Sequence, residues 1–288
     1  MLVKASKGSA NVLQDAANLV FKRENVRNEC FPLCSNPTEV GKALAASDSW
    51  FVLTDNGPIA VMKLETSDRT ARVAQLCMNG EVSSEEVFTS LRRGLREIKI
   101  SNFVLRVAPA EADQYAALGF TRGHTYLRFS RIPAQNNMMP ILPLVNVTPR
   151  ELPFLSELMY AAYAKTSDVF SNAQVAEGML RAIMSGAKGE YLPNAPFASG
   201  TIPNLVSACL LTVESPGEVK IEQLFTHPLY RARGLATTEI ASSMNRLASA
   251  GVQNLISWSK EGNDVIRRLL IKMGFQQDRT VVEMAAAV

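Results

Sequence analysis

The chain has little of what marks a membrane, metal or nucleic-acid protein. Its most apolar stretch, Met138 to Val147, is short and broken by Pro140 and Pro143, which excludes a spanning helix. His124 and His227 are the only histidines. With just four cysteines (Cys30, Cys34, Cys77 and Cys209), no Cys/His pair lies at zinc-finger spacing, so no metal is expected. Charge of one sign is scarce too: 30 basic against 27 acidic residues argues against a nucleic-acid partner or a membrane surface. The opening MLVKASKGSANVLQD lacks the apolar centre of a secretory signal, and a cytoplasmic location with reduced thiols is expected. What is present is globular material: 288 residues, 47% apolar and 20% charged, enough for two domains.

Between Arg131 and Arg150 runs IPAQNNMMPILPLVNVTP, whose prolines remove donors and hold the backbone extended. It predicts a linker over 133–147, with one strand at its apolar end, between domains at 1–132 and 148–288. The two halves repeat one another. The first has apolar runs at Pro58–Leu64 and Ala71–Met78, a helix over Ser84–Ile98, a strand from Asn102, a helix to Leu118, Gly119-Phe120, and a final strand. The second has runs at Leu205–Val213 and Val219–Phe225, a helix over Leu235–Ala250, a strand from Asn254, a helix over Asn263–Met273, Gly274-Phe275, and a final strand. Each Gly suits the left-handed position after a helix. A repeat of this length is a domain duplication. The predicted class is α/β (α+β), two tandem domains, each a central mixed sheet flanked by helices. Helices are also expected over Ala10–Phe21, Glu151–Ala164 and Asn172–Met184, and a long functional loop over 186–203.

The most informative segment is Phe225-Thr-His-Pro-Leu-Tyr-Arg-Ala-Arg-Gly-Leu-Ala-Thr237, which follows a strand and opens a helix. Unpaired amides at a helix start suit a phosphate, and Arg231 and Arg233 add positive charge. The segment has neither the glycines of a dinucleotide fingerprint nor the Gly-Lys-Ser/Thr of a P-loop. It resembles the pyrophosphate loop of the GCN5-related N-acetyltransferases (the GNAT superfamily), Arg/Gln-x-x-Gly-x-Gly/Ala. Here that loop is Arg231-Ala-Arg-Gly234-Leu-Ala236 after His227-Pro-Leu-Tyr230, and Asn263 through Gly274-Phe275 matches the family's next segment. The first half carries the frame without the loop. Asn79-Gly-Glu-Val-Ser-Ser-Glu-Glu stands there instead, and Glu81, Glu85 and Glu86 would repel a pyrophosphate. The pattern is similar to tandem members with one degenerate domain, such as the glycine N-acyltransferase-like proteins and mycothiol synthase.

The resemblance implies an acyl-CoA-dependent N-acyltransferase, acetyl-CoA being the expected donor and a primary amine the acceptor, in a monomer or homodimer. Its cofactor residues would be Leu224, Phe225, Thr226, Arg231, Ala232, Arg233, Gly234, Leu235, Ala236, Thr237 and Asn263. The pantetheine arm would lie in a gap between the strands at Val219–Phe225 and Asn254–Trp258, and the amide near Phe225 would polarise the acyl carbonyl. Asn263 is equally suited to capping the helix that follows it. Glu222 is the candidate general base; strand alternation groups it with Leu224 and places Ile221, Gln223 and Phe225 on the other face. The family's usual acid, a Tyr, is replaced by Leu270. Tyr115, at the matching place in the first half, is read as packing, His227 as a turn residue, and Arg92, Arg93 and Arg96 as a solvated helix face. Acceptor specificity is expected from Tyr160, Tyr163, Asp168 and 186–203. The alternative is a non-catalytic acyl-CoA sensor.

Overall fold

A computed structural model describes residues 1–27, 49–54, 57–67, 69–78, 82–164, 166, 169–187, 189–192, 197–215 and 217–288. Cys30, Cys34, Glu81 and Asp168 lie outside the described residues. Two compact units form, one from residues 1–126 together with 280–288, the other from 127–279.

In the first unit, the strands β1 (Leu2–Lys4), β2 (Ser49–Thr54), β3 (Gly57–Ser67), β4 (Thr70–Met78) and β5 (Asn102–Val107) follow one another across the sheet. Helix α1 (Ala10–Arg27) covers one face, where Ala16, Ala17 and Val20 meet Phe51, Val61 and Cys77. Helices α2 (Ser84–Glu97) and α3 (Ala112–Ala117) cover the other. In α2, Val87, Phe88, Leu91 and Leu95 recur at helical spacing and are buried, which fixes the face it presents. Phe88, Phe103, Tyr115 and Phe120 pack edge-to-face and stacked beneath it, so Tyr115 is a packing residue. Arg92 is not simply solvated: it donates to the Leu118 carbonyl at 2.8 Å and lies over the Phe120 ring, tying α2 to the end of α3.

The second unit uses β6 (Thr121–Arg131) from Leu127 onward, then β7 (Leu144–Asn146), β9 (Phe197–Thr201), β10 (Asn204–Ser215), β11 (Glu218–Thr226) and β12 (Asn254–Lys260). Their order across the sheet is β6-β12-β11-β10-β9-β7, and the two-residue β8 (Glu190–Tyr191) pairs with β10. Helices α4 (Leu152–Tyr163) and α5 (Ala173–Met184) pack on one face. Helices α6 (Leu235–Ser249) and α7 (Asp264–Lys272) pack on the other. Gly119 and Gly274 take φ of +83° and +79° just after α3 and α7, the left-handed conformation expected of each Gly-Phe pair.

Two sequence expectations change. Residues 186–203 are not loop throughout: among the described ones, Glu190–Tyr191 and Phe197–Thr201 form β8 and β9, and Phe197 to Gly200 are buried between neighbouring strands. Ala198-Ser199-Gly200 has almost no strand propensity, so burial decides its conformation. Nor do the compact units divide at the 133–147 linker. Strand β13 (Gln276–Ala287) pairs antiparallel with β5 from Val282 to Ala287, and Val282, Met284 and Ala286 lie in the first unit's core. Leu127 and Phe129 of β6 lie in the second unit's core.

The placement of β13 is testable with one tryptophan per unit. In a Trp258→Phe background, Trp50 fluorescence should report Ala286→Gly as a loss of about 0.5–1 kcal/mol, the cost of glycine inside a strand. An unchanged midpoint would remove β13 from that core.

Candidate active site

Strand β11 pairs parallel with β12 over four residues, Glu218↔Asn254 to Ile221↔Ser257. Both strands then continue without pairing to one another, β11 through Thr226 and β12 through Lys260. The divergence begins at a β-bulge: Leu211 pairs with Ile221 and Leu210 with Gln223, leaving Glu222 as the extra residue. A bulge bends its strand and sharpens the twist, which turns β11 away from β12.

The bulge also resets the faces. Val219, Ile221 and Leu224 pack with the α6/α7 core, while Phe225 packs with the α4/α5 core. Ile221 is therefore not on the face of Gln223 and Phe225, and Glu222 does not share a face with Leu224, as unbroken alternation had predicted. Past the bulge, the His227 amide donates to the Val206 carbonyl at 2.8 Å. Counting back by twos, the Phe225 amide points to β10, and those of Leu224 and Thr226 point into the gap beside β12. The amide available to an acyl carbonyl is thus that of Leu224 or Thr226, not that of Phe225.

Beyond Thr226 the chain makes a short turn. His227 Nδ1 accepts from the Leu229 amide at 3.3 Å, the turn-forming role expected of it. Ala232 has φ +60° and Gly234 φ +81°. Left-handed residues so close together direct successive amides toward one side, a concavity suited to an anion. Helix α6 starts at Leu235 with no side-chain cap, and its first intrahelical bond is made by the Thr238 amide to the Gly234 carbonyl at 3.1 Å. The amides of Leu235, Ala236 and Thr237 precede that bond and carry the positive end of the helix. A side chain at 234 would meet strain at that φ, and its Cβ would come to 2.9 Å from Ile141 Cδ1 of the linker.

The two arginines differ. Arg231 Nη2 donates to the Ala162 carbonyl at 2.5 Å and its Nε to the Thr226 carbonyl at 3.4 Å, so its side chain fastens the turn to the end of α4. Arg233 is exposed and stacks on Tyr230 at 5.1 Å. Asn263 caps α7, its Oδ1 accepting from the Ile266 amide at 3.4 Å. Leu270 is completely buried in the α6/α7 core, so no hydroxyl stands at that place.

Glu222 is ion-paired with Lys220 at 2.7 Å, and Lys220 also meets Glu214 at 3.0 Å. Burial opposes the Lys220 charge, but the two carboxylates outweigh it and raise the pKa of the ammonium. One cation between two anions leaves a net negative charge at the bulge. Gln223, beside Glu222, accepts from the Tyr163 hydroxyl at 2.9 Å and contacts Met179 Sδ, so α4 and α5 hold it in place. Tyr163 was expected near an acceptor. Lys220 and Gln223 were not singled out, although Lys220-Ile-Glu222 in an apolar strand was a visible signal.

The first unit has the same frame. β4 pairs parallel with β5 over four residues, Thr70↔Asn102 to Val73↔Leu105, and a bulge follows at once at Ala74. What differs is the helix after it: α2 is capped by Ser83 and carries Glu85 and Glu86, both exposed, in its first turn. Among the described residues, no group of three or more His, Cys, Asp or Glu is placed to hold a metal ion, and no helix is long and apolar enough to cross a membrane.

No protein-family model matches the chain, and no curated protein matches it in sequence. Solved structures do match in fold. A GCN5-related N-acetyltransferase from Sphaerobacter thermophilus superposes with a TM-score of 0.70 at 13% identity, covering 100% of this chain and 95% of that one. A tandem GNAT protein from the clavulanic acid biosynthesis pathway gives 0.69 at 15%, covering 100% and 98%. An acetyltransferase of the GNAT family from Colwellia psychrerythraea gives 0.56 at 12%, covering 99% of each. The chain has the tandem fold of the GCN5-related N-acetyltransferases.

Proposed function

We propose that this chain transfers an acyl group, acetyl first of all, from acyl-CoA to a primary amine, at one site in the second unit. The observation that carries this is the conjunction on β11 of a bulge, an open edge beside β12 and a left-handed turn leading into uncapped α6. The amides of Ala232 to Thr237 hold the pyrophosphate, with Arg233 adding charge. The pantetheine arm enters the gap between β11 and β12, and the Leu224 or Thr226 amide receives the thioester oxygen. Asn263, having only its Oδ1 engaged, has its side-chain amide left for the arm.

In the reaction the amine nitrogen attacks the thioester carbon. The C–N bond forms, negative charge gathers on the oxygen facing the strand amide, and the C–S bond breaks. Glu222, directly or through a water, takes a proton from the ammonium to free its lone pair, and the nitrogen's second proton passes to water once the C–N bond has formed. The net negative charge at the bulge draws an ammonium to it before the first proton is lost. Leu270 supplies no acid, so the thiolate leaves as such and takes its proton from water.

The full chain should bind acetyl-CoA with a stoichiometry of one by calorimetry, because Glu85 and Glu86 in the first turn of α2 would repel a pyrophosphate in the first unit. Two equivalent sites would contradict the proposal. Thiol release with acetyl-CoA and a broad amine panel then tests catalysis. The absence of a hydroxyl at Leu270 favours a second possibility, a non-catalytic acyl-CoA sensor. Steady turnover rejects the sensor, and tight binding without turnover across a broad panel rejects the enzyme.

A further inference from the structure

Glu239 lies on the buried side of α6 and has no exposed surface. Its Oε1 accepts from the Ser199 amide at 3.1 Å and from the Ser199 hydroxyl at 2.6 Å, both on β9. Its Oε2 is 3.0 Å from Ser207 Oγ on β10. Ser207 Oγ in turn lies 3.2 Å from the Phe225 carbonyl and 2.8 Å from Thr226 Oγ1, at the end of β11. A chain of contacts thus runs from α6 through Ser207 of β10 to Thr226 of β11, one of the two residues whose amides face the gap.

The protons of this chain can be shared out in two ways. Ser207 has one hydroxyl proton. If Glu239 were ionised, its Oε2 and the Phe225 carbonyl, both acceptors, would compete for that proton. If Glu239 is neutral, its own proton goes to Ser207, the Ser207 proton goes to Phe225, and Thr226 donates to Ser207. Each contact then holds one proton, and none is left short.

We propose that Glu239 is a positioning residue of the acyl site: as a neutral acid it donates to Ser207, which fixes the Phe225 carbonyl and the Thr226 side chain at the mouth of the gap. The positioning role rests on the gap being the acyl-CoA site; the protonation state does not.

The surroundings agree. Burial pushes the Glu239 carboxyl up to about 8, even with Ser207 counted alongside Ser199 as a donor to it, a bond the neutral acid reverses. The titratable group facing it from β10 is Cys209, whose thiol is driven upward by burial first and by Glu239 second, while Ser243 of α6 bonds the sulfur. Arg246, two turns further along α6, stacks over Phe197 of β9 at 4.6 Å. Lys220 of β11 is engaged by Glu214 and Glu222.

Two measurements on the full chain test this, using wild type, Glu239→Gln and Glu239→Leu. The first is unfolding against pH. A folded-state pKa raised above the unfolded one gives stability that is complete below about 4.5 and is lost as pH rises toward about 8. Glutamine imitates the neutral acid and does not titrate. The wild-type unfolding constant should therefore rise about tenfold per pH unit relative to that of Glu239→Gln across this interval. Parallel curves would overturn the neutral acid whether or not acetyl-CoA binds.

The second is acetyl-CoA affinity by calorimetry at pH 7 and pH 9. Wild type should weaken at least threefold between them, Glu239→Gln should hold its neutral-pH affinity at both, and Glu239→Leu should be weak at both. Equal pH dependence in wild type and Glu239→Gln would overturn the positioning role. If wild type binds no acetyl-CoA at any pH, the proposed function fails, the positioning role falls with it, and the unfolding curves alone judge the protonation state.

Discussion

Glu222→Gln is expected to bind acetyl-CoA as wild type does and to turn over roughly 10²–10⁴-fold more slowly, the usual contribution of a general base. Affinity is spared because the proposed site would hold the donor by main-chain amides. The variant should fold, because Lys220 keeps its partner Glu214 at 3.0 Å. The deficit should narrow as pH rises, since a growing share of the amine is already neutral and needs no base before it attacks. A residue that only positions the amine would leave a deficit constant in pH. If Glu222 only pairs with Lys220, turnover will be close to normal, as ion pairs of this kind alter stability and not the chemical step. Near-normal turnover at neutral pH in a folded variant would sink the assignment.

Gly234→Glu is expected to weaken acetyl-CoA binding at least tenfold, about 1.4 kcal/mol. Two effects contribute, and Gly234→Ala separates them. Any side chain here adopts φ +81°, which costs about 1–2 kcal/mol of stability, and must displace Ile141. Only glutamate also sets a negative charge among the amides that would receive the pyrophosphate. Glutamate should therefore bind acetyl-CoA more weakly than alanine does, and added salt should narrow the difference by screening. Equal affinity in the two variants, both folded by circular dichroism, would take the pyrophosphate away from this turn.

The parts legible in the sequence are those set by local chemistry. The Asn263 cap, the glycines after α3 and α7, the apolar stripe of α2 and the turn at His227-Pro228 all arise within a few residues, and all appear where the sequence places them. What escaped depends on distant partners. Nothing in Val219–Phe225 marks Glu222 as a bulge, since only the register with β10 creates it, and the wrong grouping of Glu222 with Leu224 followed from that. β9 is a strand because it is buried between β7 and β10, against the preference of its own residues. Glu239 did leave a trace, an acid on the apolar stripe of α6 between Leu235 and Ile240. Only the serines on two other strands say what it is for.

The place of β13 has a consequence for how the protein is made. Its residues Val282 to Ala287 lie between β5 and β6 in the sheet, yet ribosomes deliver them after β5 and β6 have been made. An N-terminal domain commonly folds while the rest is still being translated, but the first unit's sheet here is complete only once β13 has been made. Until β13 arrives, β5 has an unpaired edge beside Phe103 and Leu105, and Val107 lacks its partner Val282. An open apolar edge is a template for pairing with other chains. Slowed elongation between β5 and β13 lengthens the time for which that edge stays open.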